Sequence, residues 1–465
     1  MTLLRKPLMM QDQISPMTKV LADYIAEAAS RDLPQDVMAK AVDHVMDSVA
    51  AILSGSRLRA GELAIAYAAA QGAGESGAAA VLGTGLRAPV ALAALVNGFS
   101  AHADETDDSH LGGRFHPGCA IVPAALAAAE ANGSSGAEFL RAVVLGYDIG
   151  ARAVMALDHA RPDTAKHSSH SIGPLFGSAA AAASLYRLSP RQVRHALSYT
   201  VQQCSGVPFW QRDPDHIEKA FDFAGMGARN GVTAASLAAA GFTGIDDPFS
   251  GRHNYFSAFA EHAAPARLIE GLGDRFEIMN ATTKKWCVGS PIQAMLDAVE
   301  ILIASDDPQV AAIESVTITM PDDRIHIVDN RQMPATCAQH LVAIALIDRF
   351  VTFASSHDVD RMADPKVLAL RQKITLLPSA GLTAAKPARQ AIVEIVMADG
   401  RHLRHHASAV RGTPDNPMSA AELRGKAGEL ITPVIGARTD ALLDALAGLA
   451  RARSIAPIIE LATQS

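Results

Sequence analysis

Between His102 and His116 the chain sets four carboxylates and three imidazoles close together. The run reads His102-Ala103-Asp104-Glu105-Thr106-Asp107-Asp108-Ser109-His110, then Gly112-Gly113 and His116-Pro117-Gly118. One imidazole is often structural. Three beside four acids suit proton transfer, because imidazole titrates near neutrality and a neighbouring carboxylate fixes which ring nitrogen carries the proton. The same inventory admits a second chemistry. Asp104, Asp107 and Asp108 at a helix end could hold magnesium beside a diphosphate, and His110 with His116 could serve a transition metal. No second acidic cluster stands in the sequence to complete a magnesium site, so no metal is expected. A third reading is a solvated helix end capped by its acids.

Helices must position this segment. Pro34 followed by Val37, Ala41, Val45, Val49 and Ile52 spells an amphipathic helix that stops at Ser54-Gly55. Comparable signals cover Val90 to Ala103, Val122 to Ala131, Glu138 to Leu157, Gly173 to Tyr186, Pro190 to Gln203 and Ile217 to Ala240. Several carry alanine on more than one face, which predicts close helix packing in a bundle. The character changes near residue 270. Glu314 to Met320 alternates with the period of a half-buried strand, Ala391 to Met397 reads as a second, and Asp399-Gly400 is a hairpin turn into His402 to His406. Cys337 to Phe353 and Pro365 to Ile374 read as helices between them. From Ser419 the pattern turns helical again. The expected fold is therefore mostly α with an α+β second domain: a discontinuous all-helical domain, 1–270 and 411–465, interrupted by an α+β domain, 271–410.

Length and composition exclude several function classes. At 465 residues the chain exceeds one ordinary core. A net charge of −7 without a basic block or base-stacking aromatics argues against nucleic acid as a partner. The apolar stretch Ala88 to Val96 is cut by Asn97, Gly98 and Ser100 before it could cross a membrane. Cys119, Cys204, Cys287 and Cys337 form no CxxC pair, and Met1 to Ser15 shows no secretory segment, so a cytoplasmic location is expected. Gly83-Thr84-Gly85 and Gly271-Leu272-Gly273 lack the context of a dinucleotide fingerprint, no serine nucleophile elbow is present, and Cys287 reads as a packing residue.

The run Glu105-Thr106-Asp107-Asp108-Ser109-His110 with His116-Pro117-Gly118-Cys119-Ala120-Ile121-Val122-Pro123-Ala124 resembles the signature of the MmgE/PrpD family. Three further segments are similar to that family: His167-Ser168-Ser169-His170 before Gly173-Pro174-Leu175-Phe176-Gly177; Lys219 ahead of Ala228-Arg229-Asn230-Gly231; and Lys284-Lys285-Trp286 with Leu296-Asp297-Ala298 downstream. The resemblance spans about residues 35 to 430. It implies a cofactor-independent enzyme, a homodimer, acting on a small anionic carboxylate. The family includes 2-methylcitrate dehydratases, cis-aconitate decarboxylases and iminodisuccinate epimerases. Dehydration of a hydroxylated di- or tricarboxylate is the first expectation. Epimerisation of a dicarboxylate and decarboxylation stand beside it, with a metal-dependent enzyme using Asp104 to Asp108 and a non-catalytic carboxylate binder as readings from other classes.

Carried over residue by residue, the resemblance implies catalytic roles for Glu105, Asp108, Ser109, His116, His167, Lys219 and His340, and substrate-binding roles for His110, His170, Lys284 and Lys285. Glu105 or Asp108 would orient a histidine, His116 and His167 would exchange protons, and the lysines would hold anionic groups. Lys284 and Lys285 cannot both face one cleft on an extended segment. Lys219, beside Glu218 and Asp222, reads equally as half of a surface ion pair. Three departures from the family pattern matter. Glu105 stands where many members have Asp. The register at Lys219 is longer by one residue. His340 takes a position where the family often places a tyrosine, which changes the acid–base repertoire. His402, His405 and His406 are given no role.

Overall fold

The computed structural model describes residues 14–158 and 167–463, the side chain of Gln211 excepted. The expectation that Met1 to Ser15 holds no secretory segment falls, apart from Ile14 and Ser15, outside the described residues. None of the described helices is long and apolar enough to cross a membrane. All four cysteines are free.

Two hydrophobic cores organise the chain. The first is built by helices Pro16–Glu27, Gln35–Gly55, Val90–Ala101, Gly118–Ala131, Gly136–Ala156, Ser169–Leu185, Pro190–Gln202 and Met226–Ala239. Alanine and glycine let these helices approach closely. A Cβ on Gly146 would stand 2.4 Å from Ile121 Cγ2 and 3.0 Å from the Gly177 carbonyl, while one on Gly177 would stand 2.6 Å from the Gly146 carbonyl. The Gly136–Ala156 and Ser169–Leu185 helices therefore touch backbone to backbone, at a separation larger residues would forbid. Leu423, Ala427, Leu430, Leu442 and Leu446, from helices Ala420–Ile435 and Thr439–Ala447, belong to this core as well.

The second core spans residues 286 to 410. Numbering the strands that position chemistry in chain order, β1 is Ser109–His110, β2 Ala281–Thr282, β3 Ile313–Pro321, β4 Ile374–Ser379, β5 Ala391–Met397 and β6 His402–Ala407. The last four form one sheet in the order β4-β3-β5-β6, with β3 and β4 parallel and the other pairs antiparallel. Val316, Ile318 and Met320 of β3 and Ala391, Val393, Ile395 and Met397 of β5 are buried against helices Gln293–Asp306 and Ala338–Asp348, as alternation requires.

Three elements differ from expectation. The predicted helix Pro365 to Ile374 stops at Arg371, and Ile374 opens β4 instead. This edge strand is half exposed and contains Pro378, so it carries neither an alternating nor a continuous apolar pattern, and proline is tolerated there. The predicted helix Cys337 to Phe353 ends at Asp348, where Arg349 turns left-handed at φ +68°, and a separate helix Phe353–His357 follows. The predicted helix Ile217 to Ala240 is broken by a π turn over Phe221–Gly225.

Candidate active site

The cluster lies where the first core meets the start of the second. After Val90–Ala101 the chain leaves the helix, runs irregularly through 102–108, and pairs β1 with β2 in antiparallel register, Ser109 opposite Thr282 and His110 opposite Ala281. That pairing carries residues 283–286 back alongside the acids. Successive side chains then point to opposite sides, and the two lysines separate. Lys284 is buried, its Nζ donating to the Glu105 carbonyl at 2.6 Å and lying 3.5 Å from Glu105 Oε2 and 3.9 Å from Asp107 Oδ1. Lys285 pairs with Glu300 and lies over the Trp286 ring, away from the acids.

Asp107 is the centre. Its Oδ2 lies 3.1 Å from His116 Nδ1 and 2.9 Å from His102 Nδ1. Burial alone would raise the Asp107 pKa, but His102 and His116 together hold it well below the ordinary carboxylate value. Burial lowers that of His102, against the pull of Asp107. The carboxylate that orients His116 is thus Asp107, rather than Glu105 or Asp108. With Nδ1 committed to Asp107, the opposite nitrogen, Nε2, is the one that can exchange a proton with a ligand. His102, Asp107 and His116 also form a three-ligand group of metal-binding spacing. Lys284 beside Asp107 places a fixed cation against such an ion.

Glu105 gathers cations. Its Oε1 pairs with Lys219 and lies 3.1 Å from His216 Nε2, and its other oxygen faces Lys284. Burial would raise its pKa; Lys219, Lys284 and His216 pull it well below the ordinary value. His216 is held at φ +64°, and burial, with Lys219 nearby, pushes its imidazole down to about 4, so it is neutral at pH 7. The Lys219 ammonium also sits over Phe223 at 4.9 Å and Trp210 at 5.8 Å from the ring centroids.

Lys219 reaches Glu105 from a short helix that a π turn follows. A π turn accommodates one extra residue within a helix. The break at Phe221–Gly225 separates Ile217–Ala220, which carries Lys219, from Met226–Ala239. Asp222, within that turn, accepts from Ser168 Oγ at 2.8 Å and from Ser171 Oγ, which ties the lysine segment to the start of Ser169–Leu185. His170 on that helix stacks on Phe223 with centroids 3.8 Å apart and lies 5.6 Å from the His116 ring. Burial, then His116 and Lys219, push its pKa well below 6.5. Its Nδ1 is buried without a hydrogen-bond partner. His116, Lys219 and His170 are the less buried members of the cluster.

The remaining residues named from the sequence take other positions. Asp108 accepts from Gly118 N at 2.8 Å and Tyr147 Oη at 2.6 Å and lies 2.9 Å from His44 Nδ1, so both its oxygens brace the turn. A Cβ on Gly118 would stand 2.9 Å from Asp108 Oδ1, so this residue must be small. His110 Nδ1 accepts from Gly113 N at 2.8 Å and its Nε2 lies 3.3 Å from Glu277, so the ring is turned away from His116 toward other partners. Ser109 Oγ faces Arg389 at 3.4 Å. His167 lies edge-on to Phe259 with centroids 4.8 Å apart. His340 is fully buried on Ala338–Asp348, and burial, then Arg371 and Arg361, lower its pKa to about 4. It is placed among groups of the second core.

Several members of the cluster carry no signal in the 102–118 motif. His44, Asp47 and Ser48 are polar residues inside an otherwise apolar helical run, and that anomaly marks them as buried. Lys426 reaches back from Ala420–Ile435 to Asp47 Oδ1 at 2.6 Å and to the Thr106 carbonyl at 3.0 Å. His357 Nε2 lies 2.8 Å from Asp104 Oδ2.

Residues 19–267 match the MmgE/PrpD N-terminal domain and residues 286–448 the MmgE/PrpD C-terminal domain. The chain is similar to the cis-aconitate decarboxylase-like protein oryM of Aspergillus oryzae, 27% identical over 90% of this chain and 91% of the relative. It is also similar to a cis-aconitate decarboxylase of Aspergillus terreus, 23% identical over 96% of each. With both family domains matched in order across most of its length, the chain belongs to the MmgE/PrpD family of enzymes.

Proposed function

We propose that this enzyme is a cofactor-independent lyase that removes carbon dioxide from a small unsaturated tricarboxylate of the cis-aconitate class. It would work between a discontinuous helical domain, 1–270 and 411–465, and an α+β domain, 271–410, as a cytoplasmic homodimer. The observation that carries the reading is the Asp107–His116 pair set beside Lys219 and Lys284. The relatives' names supply the substrate class.

In this reading Lys219, whose ammonium has donors beyond its bond to Glu105, holds a substrate carboxylate. The bond to the departing carboxylate breaks and its electron pair stays on carbon, delocalised toward a neighbouring carboxylate that Lys219 and Lys284 stabilise. His116, protonated and steadied by Asp107, gives its proton to carbon and regains one from water. Atoms and charge balance without a cofactor. The same pair serves elimination of water, which keeps dehydration as the second reading.

Incubation of purified enzyme with cis-aconitate, citrate and 2-methylcitrate in deuterated water separates these. Carbon dioxide released with one solvent deuteron on the product supports decarboxylation. Water loss without carbon dioxide supports dehydration, label gained with neither points to epimerisation, and no turnover of any acid overturns the reading.

A further inference from the structure

The second core sends one cation toward the acid cluster that the mechanism above does not use. Arg389 stands in the loop ahead of β5, partly buried, with φ +66°. Non-glycine residues rarely adopt that conformation, and it persists only where the surroundings impose it. Here they do: Gln390 is buried, its Nε2 donates to the Pro387 carbonyl at 2.9 Å, and its Oε1 lies 2.7 Å from His406 Nε2 on β6. The loop is tethered to the sheet and aims the guanidinium at Ser109, the last residue of the Glu105–Ser109 turn.

What Arg389 meets there is too little. Its hydrogen bond to Ser109 Oγ is long, 3.4 Å. Among the described residues no carboxylate pairs with it. Asp323, the acid that acts on it, is paired to Arg324 at 3.2 Å, and Arg324 adds a like charge. Burial, then Arg324, push its pKa down to about 10, as expected for a cation short of counter-charge. A guanidinium presents a planar fork that matches a carboxylate through two parallel bonds.

We propose that Arg389 is a substrate-binding residue, which grips a second carboxylate at the Ser109 end of the turn while Lys219 holds another at the Glu105 end, and so selects di- and tricarboxylates over monocarboxylates. The proposal rests on the carboxylate-lyase reading and adds to it the residue that sets substrate class.

The test uses the full chain with two unreactive probes, tricarballylate and butyrate, and the variants Arg389→Met and Arg389→Lys. Calorimetry should show wild type binding tricarballylate and hardly binding butyrate. Arg389→Met should bind tricarballylate about 10- to 100-fold more weakly, the loss expected for a charged hydrogen-bond pair, with its unliganded melting temperature unchanged. Arg389→Lys should recover part of the affinity, and methylguanidinium in solution should rescue Arg389→Met. With a turned-over substrate, KM should rise and kcat hold. If Arg389→Met binds tricarballylate within about twofold of wild type, the assignment is wrong while the lyase reading stands. Should wild type bind no polycarboxylate at all, both fall. Should Arg389→Met not fold, an Arg389→Lys enzyme with unaltered KM overturns the assignment by itself.

Discussion

His116 Nδ1 lies 3.1 Å from Asp107 Oδ2, and the same oxygen lies 2.9 Å from His102 Nδ1. One carboxylate oxygen therefore holds two imidazoles, of which only His116 lies toward the accessible side. His116→Gln is expected to lower kcat about 10²- to 10⁴-fold, the range of a lost general acid, while tricarballylate binding changes little. Asp107→Asn should lower kcat as well and move the alkaline limb of the pH–rate profile to lower pH, because an amide does not stabilise an imidazolium as a carboxylate does. A kcat for His116→Gln close to wild type would remove His116 from the mechanism.

Glu105 joins Lys219 and Lys284 in buried surroundings. Taking away its charge leaves two ammonium groups facing each other with less compensation. Glu105→Gln is expected to destabilise the fold by about 3–5 kcal/mol, as for other broken buried pairs, read from urea midpoints. Glu105→Asp keeps the charge and withdraws it by one methylene, so its loss should be smaller. Equal midpoints for Glu105→Gln and wild type would show that the lysines are compensated elsewhere.

How much of this was legible beforehand follows from which contacts are local. The 102–118 run concentrates its chemistry within a short stretch, and alternation in β3 and β5 marks their buried faces, so both could be read directly. The choice among Glu105, Asp107 and Asp108 as the partner of His116 could not be, because spacing along an irregular turn does not say which carboxylate points where. His216, His357 and Lys426 come from remote segments, and no local pattern announces a residue whose partner lies more than a hundred positions away. Arg389 was hidden for the same reason: its significance lies in a missing counter-charge, which only the assembled fold displays. β4 escaped because its edge position lets Pro378 and exposed Leu377 interrupt the usual pattern.

His357 from the second core meets Asp104 of the acid segment at 2.8 Å. Burial opposes its charge, yet the bond to Asp104 raises its pKa above 6.5, and His357 in turn lowers that of Asp104 against burial. The histidine's contribution to stability is full below pH 6.5, its unfolded value, and is lost as pH rises through its folded pKa. That of the aspartate is present above 3.8 and is lost as pH falls through its own. The pair should therefore stabilise most between those limits. Urea midpoints of wild type and His357→Gln should differ clearly near pH 6 and converge toward pH 9. A difference independent of pH would show that the contact is not an ion pair.

The π turn at Phe221–Gly225 makes a prediction that no single side chain does. An α-helix advances about 100° per residue, so removing one residue from the turn should restore regular helix and rotate Ile217–Ala220 by about that angle relative to Met226–Ala239. Lys219 would then leave Glu105, and His216 would follow it. Deleting Phe221, which spares the Asp222 bonds to Ser168 and Ser171, is expected to abolish most turnover while helix content by circular dichroism stays constant. Lys219→Met is the control: it removes the ammonium without moving the backbone and should reproduce the loss of substrate affinity. If the deletion variant keeps wild-type kcat and KM, the orientation of Lys219 does not depend on the π turn.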